Sequence, residues 1–273
     1  MTAPEGYIDA HCHLAAKEFN QDITEVIERA KQGNVLAIVA VAIRKDDFHR
    51  ILQLSSQFPD IVFPSIGIHP VQGEPPDGQR SVTLPDFTDV DKAIEENYEK
   101  LVAIGEVGLD FSPRFAKGDE EKKEQREVLR RQIELAKKYD LPLNVHSRSA
   151  GRPTIDFLKE HGAEKVLLHA FDGRPSIALR GVEYGYYFSI PPSIIRSEQK
   201  QKLVKQLPLD RILLETDSPA LGPEKQERNE PKNIHIACDY IAQIKNISTD
   251  EVMKTTTENA LRLFPKLRSL MHR

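Results

Sequence analysis

The sequence lacks tryptophan, has only two cysteines and contains no long apolar run. A transmembrane helix needs roughly 20 consecutive apolar residues, and no stretch approaches that length. The first residues carry neither the basic region nor the apolar core of a signal peptide. Because Cys12 and Cys238 cannot supply a disulfide framework, we expect an intracellular protein, nuclear or cytoplasmic, that does not contact a membrane.

Positive charge is not in excess either. The formal net charge is −4 over 273 residues, and the lysines and arginines do not cluster into a stripe. This balance excludes a broad basic surface, so any attraction of an anionic substrate such as nucleic acid must be local.

Apolar, β-rich runs alternate with amphipathic stretches along the whole chain. Eight strand–helix units in this length predict a single-domain (β/α)8 TIM barrel that spans residues 1–273, although an open, doubly wound sheet fits the same alternation. The predicted strands are 7–13, 35–43, 61–69, 101–109, 141–146, 165–171, 186–190 and 211–217. The predicted helices are 23–31, 47–57, 90–100, 122–139, 154–161, 177–184 and 198–206. Two more helices, 234–245 and 250–264, are expected to pack beneath or beside the barrel.

The triplet His11-Cys12-His13 ends the first predicted strand. Side chains at positions i and i+2 of a strand point to the same side, so the two imidazoles project together and Cys12 points to the helix layer. Such a pair also arises by chance. Its meaning therefore depends on the residues at the ends of the other strands.

Metal-binding residue types end several of the other predicted strands. Barrel active sites are built at the C-terminal face from several strand ends, so these side chains are expected to converge. Four of the nine histidines lie on this rim, and a fifth, His69, ends the third strand. The predicted metal ligands are His11, His13, Glu106, His146, His169 and Asp217.

Four histidines and two carboxylates exceed the three protein ligands of a single catalytic zinc. We therefore predict two divalent ions. One is held by His11, His13 and Asp217, the other by His146 and His169, and Glu106 bridges them. Imidazoles suit Zn, Fe, Ni or Cu, and the carboxylates also admit Mn and Mg.

Two such ions polarise a phosphoryl oxygen and lower the pKa of water. Asp217 would accept the proton of the attacking water, so Asp217 and Glu106 are the predicted catalytic residues.

Three buried-strand residues each lie two positions before a predicted ligand: Asp9, Asn144 and Glu215. Strand alternation would place each of them beneath that ligand, where it could orient the imidazole or carboxylate. A hydrogen-bonded polar barrel core explains the same residues.

Three further side chains are predicted to contact substrate. His69 faces the mouth and is expected to touch substrate rather than metal. Arg148 and Arg228 are expected to contact a phosphate. Surface ion pairing is the alternative for both arginines.

These motifs resemble the TatD family of metal-dependent deoxyribonucleases, in the amidohydrolase-like superfamily, over nearly the whole chain. The resemblance implies a barrel with a two-metal centre that hydrolyses DNA phosphodiesters, with 3′-exonuclease action and, in some members, cleavage at abasic sites. The segments that carry it are IDAHCH at 8–13, IGIHP at 66–70, AIGEVGLD at 103–110, HSR at 146–148, LHAFDG at 168–173, LETDSP at 214–219 and RNEP at 228–231.

Two segments depart from the family pattern. The family often has Cys-Phe-Ser-Gly where this chain has AFDG at 170–173, and a large residue where this chain has Ala220. Both positions are expected to line the mouth rather than bind metal, so substrate preference is the property that they leave open.

Other functions fit parts of the pattern. An amidohydrolase-type enzyme could use the same barrel on a small amide, lactone, phosphoester or aminoacyl-tRNA ester. Such enzymes commonly carry a carboxylated lysine as the bridge, and Glu106 in that place favours the nuclease. A non-catalytic interaction protein is disfavoured because all six ligands are present.

Because no basic stripe is present, we expect DNA to bind at a single-stranded end or one abasic site. The metals and a few rim arginines would supply the affinity. No obligate protein partner is inferred.

Overall fold

A parallel eight-stranded sheet forms the centre of the computed structural model, which describes residues 5–74 and 78–271. In chain order the strands are β1 (Tyr7–Cys12), β2 (Val35–Val41), β3 (Val62–Ile66), β4 (Val71–Gln72), β5 (Arg80–Ser81), β6 (Ala103–Gly108), β7 (Leu143–His146), β8 (Val166–Leu168), β9 (Tyr187–Ile190) and β10 (Ile212–Leu214). The sheet order is β1-β2-β3-β6-β7-β8-β9-β10, and β4 and β5 form a separate antiparallel pair.

Backbone hydrogen bonds join the two edges of the sheet and close the barrel. The Asp217 N–H donates to the His11 carbonyl at 2.9 Å, and the His13 N–H donates to the Ser218 carbonyl at 2.8 Å. A β-strand followed by a helix repeats around this barrel, as a (β/α)8 fold requires. The predicted barrel is therefore confirmed, and the open sheet is not formed.

Ten helices surround the sheet in the described ranges: α1 (Ile23–Gln32), α2 (Asp47–Gln57), α3 (Val90–Asn97), α4 (Asp119–Lys138), α5 (Gly151–Glu160), α6 (Pro175–Glu183), α7 (Glu198–Gln206), α8 (Ile234–Lys245), α9 (Thr249–Leu263) and α10 (Pro265–Leu270). Within those ranges, no helix has both the length and the apolarity to cross a bilayer.

The strands are shorter than the sequence predicts, chiefly at their C-terminal ends. The eighth was expected over 211–217, yet β10 ends at Leu214. Beyond it the chain bends, and Asp217 adopts a left-handed backbone with φ of 53°. Aspartate tolerates this conformation better than most residues. The bend takes Asp217 out of the ladder and over the barrel mouth.

The interior of the barrel follows strict alternation on β2. Ala37, Val39 and Val41 pack inward, while Ile38 and Ala40 pack against the helices. The inward residues share one buried cluster with Phe264, which follows α9. The C-terminal helices thus contribute to the core, as the expected packing beneath or beside the barrel requires.

Two buried glutamines on α4 hold the strand ends that carry site residues. Gln132 accepts a hydrogen bond from the Ile68 N–H at 2.8 Å and donates to the Ile68 carbonyl at 3.1 Å. Gln125 binds the N–H and the carbonyl of Asp110 in the same way, both at 2.8 Å. Because these backbone groups have left the sheet ladder, the amide side chains replace the missing β partners.

Substituting Gln132→Ala should therefore lower the free energy of unfolding by about 2 to 4 kcal/mol, since two buried backbone groups of Ile68 would lose their partners. Urea denaturation of the two proteins measures the difference. Gln53→Ala, which removes an exposed amide on α2, is the matched control and should change stability by less than about 0.5 kcal/mol. Equal stability of the two variants would contradict this role.

Candidate metal centre

Four ligand atoms converge at the mouth from β1, β6 and the end of β10. The Nε2 atoms of His11 and His13 lie 3.2 Å apart. Asp217 Oδ1 lies 3.4 Å from the first and 3.1 Å from the second. Glu106 Oε2 lies 3.5 and 3.4 Å from the same two nitrogens.

These separations match the size of a tetrahedral zinc site. Four atoms placed at about 2.0–2.1 Å from one centre in a tetrahedral array are about 3.3–3.4 Å apart. The donor set of imidazole nitrogens and carboxylate oxygens is also one that zinc accepts. The residues present therefore fit a divalent cation.

The other oxygen of Glu106 serves a second group of imidazoles. Glu106 Oε1 lies 3.0 Å from His146 Nδ1, 2.8 Å from His169 Nε2 and 3.3 Å from His69 Nε2. Glu106 thus presents one oxygen to each group. This is the arrangement that a carboxylate shared between two metal sites requires.

Two polar side chains fix which nitrogen each ligand offers. Asn144 Oδ1 accepts from His11 Nδ1 at 2.8 Å, so His11 Nε2 keeps its lone pair for a ligand. Asp110 Oδ2 accepts from His146 Nε2 at 3.1 Å and leaves Nδ1 directed at Glu106. Asn144 was expected beneath His146, and the structure shows that it orients His11 instead.

Asp110 was missed by the strand-end argument, although it lies inside the quoted AIGEVGLD segment. A carboxylate four residues after Glu106, just past the end of β6, was the available signal.

Glu215, which was expected beneath Asp217, contacts His169. Its Oε2 is 3.8 Å from His169 Nδ1 and accepts a short hydrogen bond from the Ser189 hydroxyl. His169 Nδ1 and Glu215 Oε1 are both buried without a hydrogen-bond partner among the described residues. Glu215 is therefore close enough to influence the His169 ring.

Asp9 does not lie beneath the His11 ring as the alternation predicted. Its carboxylate accepts from the N–H of Thr216 at 2.9 Å and from the Thr216 hydroxyl at 2.6 Å. A register irregularity between Asp9 and Cys12 interrupts the regular pairing of β1 with β2. Ile8 and Ala10 point into the barrel, so Asp9 faces the other side and ties β1 to the end of β10.

The electrostatics keep the carboxylates ionised despite their burial. Burial alone would raise the pKa of Glu106, but the nearby imidazoles of His69 and His169 hold it well below its usual range. Burial likewise opposes ionisation of Asp217, and hydrogen bonds from His11 and His13 lower its pKa far more. Both groups are therefore anionic acceptors at neutral pH.

The pKa values of two buried imidazoles shift in opposite directions. Burial would lower the pKa of His146, yet Asp110 and Glu106 raise it to about 9. Burial and the neighbouring His11 lower the pKa of His169 to about 3. The His11 and His169 rings stack with centroids 3.7 Å apart, so a charge on one ring disfavours a charge on the other.

His69 lines the cavity, and Val71 holds its ring through Nδ1. The Val71 N–H donates to His69 Nδ1 at 2.9 Å. The same nitrogen lies 3.0 Å from the Val71 carbonyl, and the other ring nitrogen, Nε2, lies 3.3 Å from Glu106 Oε1. His69 also forms one of the ligand-type groups with Glu106 and His146.

A cavity of about 1000 Å³ opens above the cluster. Besides the ligands, cationic side chains line it together with carboxylates such as Glu18, Asp47 and Asp172. Arg148 is among the cations and is exposed to solvent. The cations that line it are Lys17, Arg44, Arg114, Arg148, Arg196 and Lys200.

Arg228 is not among the residues that line this cavity. Its guanidinium donates to Asp22 at 2.7 and 2.6 Å and to Glu230 at 2.8 Å, and it lies 5.2 Å from the Phe19 ring centroid. In place of the expected phosphate contact, Arg228 fastens the loop after β10 to the start of α1. The two carboxylates that hold it were not visible as its partners in the sequence.

A parallel barrel with imidazoles and carboxylates converging at its strand ends defines a metal-dependent hydrolase. A family model described as TatD related DNase matches residues 8–265. The Homo sapiens protein named Deoxyribonuclease TATDN3 is 65% identical over 269 residues, covering 98% of each chain. The Bacillus subtilis protein named Uncharacterized metal-dependent hydrolase YabD is 37% identical, covering 94% of this chain and 98% of that protein.

Solved structures agree with the sequence relatives. The Escherichia coli TatD homologue YJJV has a TM-score of 0.82 at 29% identity and covers 95% of this chain and 98% of its own. The chain belongs to the TatD related DNase family. The resemblance inferred from the motifs is therefore confirmed.

Metal binding to the free site should release protons, because His146 has a raised pKa and must lose its proton to become a ligand. Affinity should accordingly rise as pH increases from about 6 to 9. Titration calorimetry of Zn²⁺ in buffers with different ionisation enthalpies measures the release. An apparent binding enthalpy that does not depend on the buffer would contradict it.

Proposed function

We propose that this chain is a deoxyribonuclease that hydrolyses DNA phosphodiester bonds with two divalent metal ions, as a 3′-exonuclease, an abasic-site endonuclease or both. The observation that carries the proposal is the division of the Glu106 carboxylate between two imidazole groups. The relative named Deoxyribonuclease TATDN3, which is 65% identical, supports DNA as the substrate.

Six side chains would hold the ions. His11, His13 and Asp217 form one set, His146 and His169 the other, and Glu106 would be shared. When bound, zinc, manganese or magnesium would supply Lewis acidity toward the phosphoryl oxygens and would acidify water.

The chain's own residues position substrate and move protons. Asp217 remains ionised and lines the cavity, so it can accept a proton from the attacking water. His69 lines the cavity, and a proton on its Nε2 would let it donate to a phosphate oxygen. Arg148 lines the same cavity and supplies a fork of donors that matches phosphate geometry.

The substrate proposed is a strand end or a distorted abasic site. The cavity of about 1000 Å³ is at the upper end of small-molecule pockets, so it has room for more than a single small ester. Six cations and seven carboxylates line this cavity, so any attraction of a phosphate depends on single cations close to it and on the bound metals rather than on a positive surface. No protein partner is needed in this scheme. The two free, buried thiols fit action inside the cell, in the nucleus or cytoplasm.

A substrate panel tests the proposal. We expect metal-dependent cleavage of single-stranded or abasic DNA, weak cleavage of intact duplex and none in EDTA. Nicked duplex and a metal series complete the panel. If no DNA is cut while small lactones or esters are hydrolysed, the amidohydrolase alternative replaces the nuclease.

Substituting Asp217→Asn should preserve the fold and lower kcat by about 100-fold or more, because the proton acceptor and one ligand charge are lost. Circular dichroism checks folding and steady-state cleavage measures kcat. The matched control is Asp210→Asn, an exposed aspartate just before the other end of β10, which should retain activity within about two-fold. Near-normal turnover by the Asp217 variant would remove Asp217 from the mechanism.

A further inference from the structure

One wall of the cavity contains a buried cation that the proposed mechanism does not use. Among the described residues, Lys200 is the only buried lysine or arginine, at 7% exposure. It lies in the first turn of α7 and lines the same cavity as Asp217 and His169. A buried ammonium is costly unless donors and charge are both satisfied.

Lys200 has unused hydrogen-bonding capacity. Its Nζ donates one hydrogen bond, to the Ala170 carbonyl at 2.9 Å, which leaves two of the three ammonium donors without a partner among the described residues. Across residues 5–74 and 78–271, no carboxylate lies within ion-pair distance of this Nζ. Because Ala170 directly follows His169, the ammonium lies beside the metal-ligand cluster.

Ser193 provides a second group in the same cavity that the proposed mechanism does not use. The residue is 2% exposed, and its Oγ is buried without a hydrogen-bond partner in the described structure. Ser193 lines the cavity together with Lys200. Its backbone is held in place, since the Ser193 N–H donates to the Leu221 carbonyl at 2.9 Å.

The segment that carries both groups is braced against the barrel. Ser197 caps α7 by accepting from the Lys200 N–H at 3.3 Å. Gln201 donates to the Ile194 carbonyl at 3.0 Å, and Gln199 donates to the Gly173 carbonyl at 2.6 Å. The hydroxyl and the ammonium are therefore held in position before any ligand binds.

We propose that Lys200 Nζ and Ser193 Oγ form a second phosphate-binding subsite, which takes the phosphate next to the one hydrolysed at the metals. This inference rests on the proposed function for the identity of the strand. An ammonium and a hydroxyl both donate, and a phosphate offers several acceptor oxygens with negative charge. Arg148 lines the same cavity and adds a positive charge near Lys200. The carboxylates that also act there are those of Glu215, Asp172 and Asp217.

A structural role for Lys200 makes a different prediction. If Nζ only braces the Ala170 carbonyl, its removal would disturb the His169 side of the metal cluster. Every ligand would then lose affinity equally. A subsite instead affects only ligands that carry a second phosphate, so the number of phosphates separates the two roles.

The test compares thymidine 5′-monophosphate with thymidine 3′,5′-bisphosphate, bound to the metal-loaded protein and measured by titration calorimetry. We expect the wild type to bind the bisphosphate about ten-fold or more tightly than the monophosphate, as a charge-assisted contact allows. Lys200→Met should bring this ratio close to one and leave monophosphate affinity unchanged. Ser193→Ala should lower the ratio about three-fold.

Two further variants control for the loss of a lysine elsewhere on α7 and for poor folding of Lys200→Met. Lys202→Met removes an exposed lysine from the same helix, where it pairs with Glu198, and should keep the wild-type ratio. Lys200→Arg retains the charge and should recover part of the preference if Lys200→Met folds poorly. Equal losses for both nucleotides, an unchanged ratio in Lys200→Met, or a wild type without preference would each overturn the subsite.

This binding test does not depend on whether the protein cleaves DNA. A preference that depends on Lys200 in a protein that cuts no DNA would uphold the subsite and reject the proposed function. Cleavage of DNA with no such preference would reject the subsite alone.

Discussion

The site depends on one buried carboxylate. Glu106 is 2% exposed and presents Oε2 to the histidines of β1 and Oε1 to those of β7 and β8. An unpaired carboxylate at this depth would lose several kilocalories of solvation, so it persists only if positive or donor groups surround it. The surrounding imidazoles meet this need, and their mutual repulsion in turn favours replacing their protons by cations.

The bonds that hold the ligands also hold the barrel. Asn144 binds the His11 ring and donates to the Ala10 carbonyl at 2.8 Å, which links β7 to β1 across the interior. Asp9 links β1 to the end of β10 through Thr216. Ligand orientation and barrel closure therefore depend on the same few polar side chains, and a substitution among them would affect both.

The sequence predicts the strands and the histidines at their ends, because these follow from the periodicity of apolar residues. It does not predict which side chains become partners, because that depends on the register between strands. The order of the eight strands follows from alternation of apolar runs, and strand-end histidines such as His169 follow from that order. The partner of Asn144 depends on how β7 is staggered against β1, which no local pattern records. Asp9 was misplaced because an irregularity on β1 breaks the two-residue period. For Arg228 the ion-pairing alternative holds rather than the phosphate contact, and its partner Asp22 could not be named because it lies 206 residues away in sequence.

The distribution of charge explains how an acidic chain can act on an anionic polymer. Arg29 and Arg228 are neutralised by Asp22 and Glu230, so they add little to long-range attraction. Carboxylates line the cavity beside its cations, and Arg44 is itself paired with Glu74, so attraction acts only over short distances and few phosphates would be engaged at once. Few counterions would then be released on binding, which makes affinity only weakly dependent on salt. Selectivity must then come from how a phosphate fits the cavity of about 1000 Å³ above the ligands.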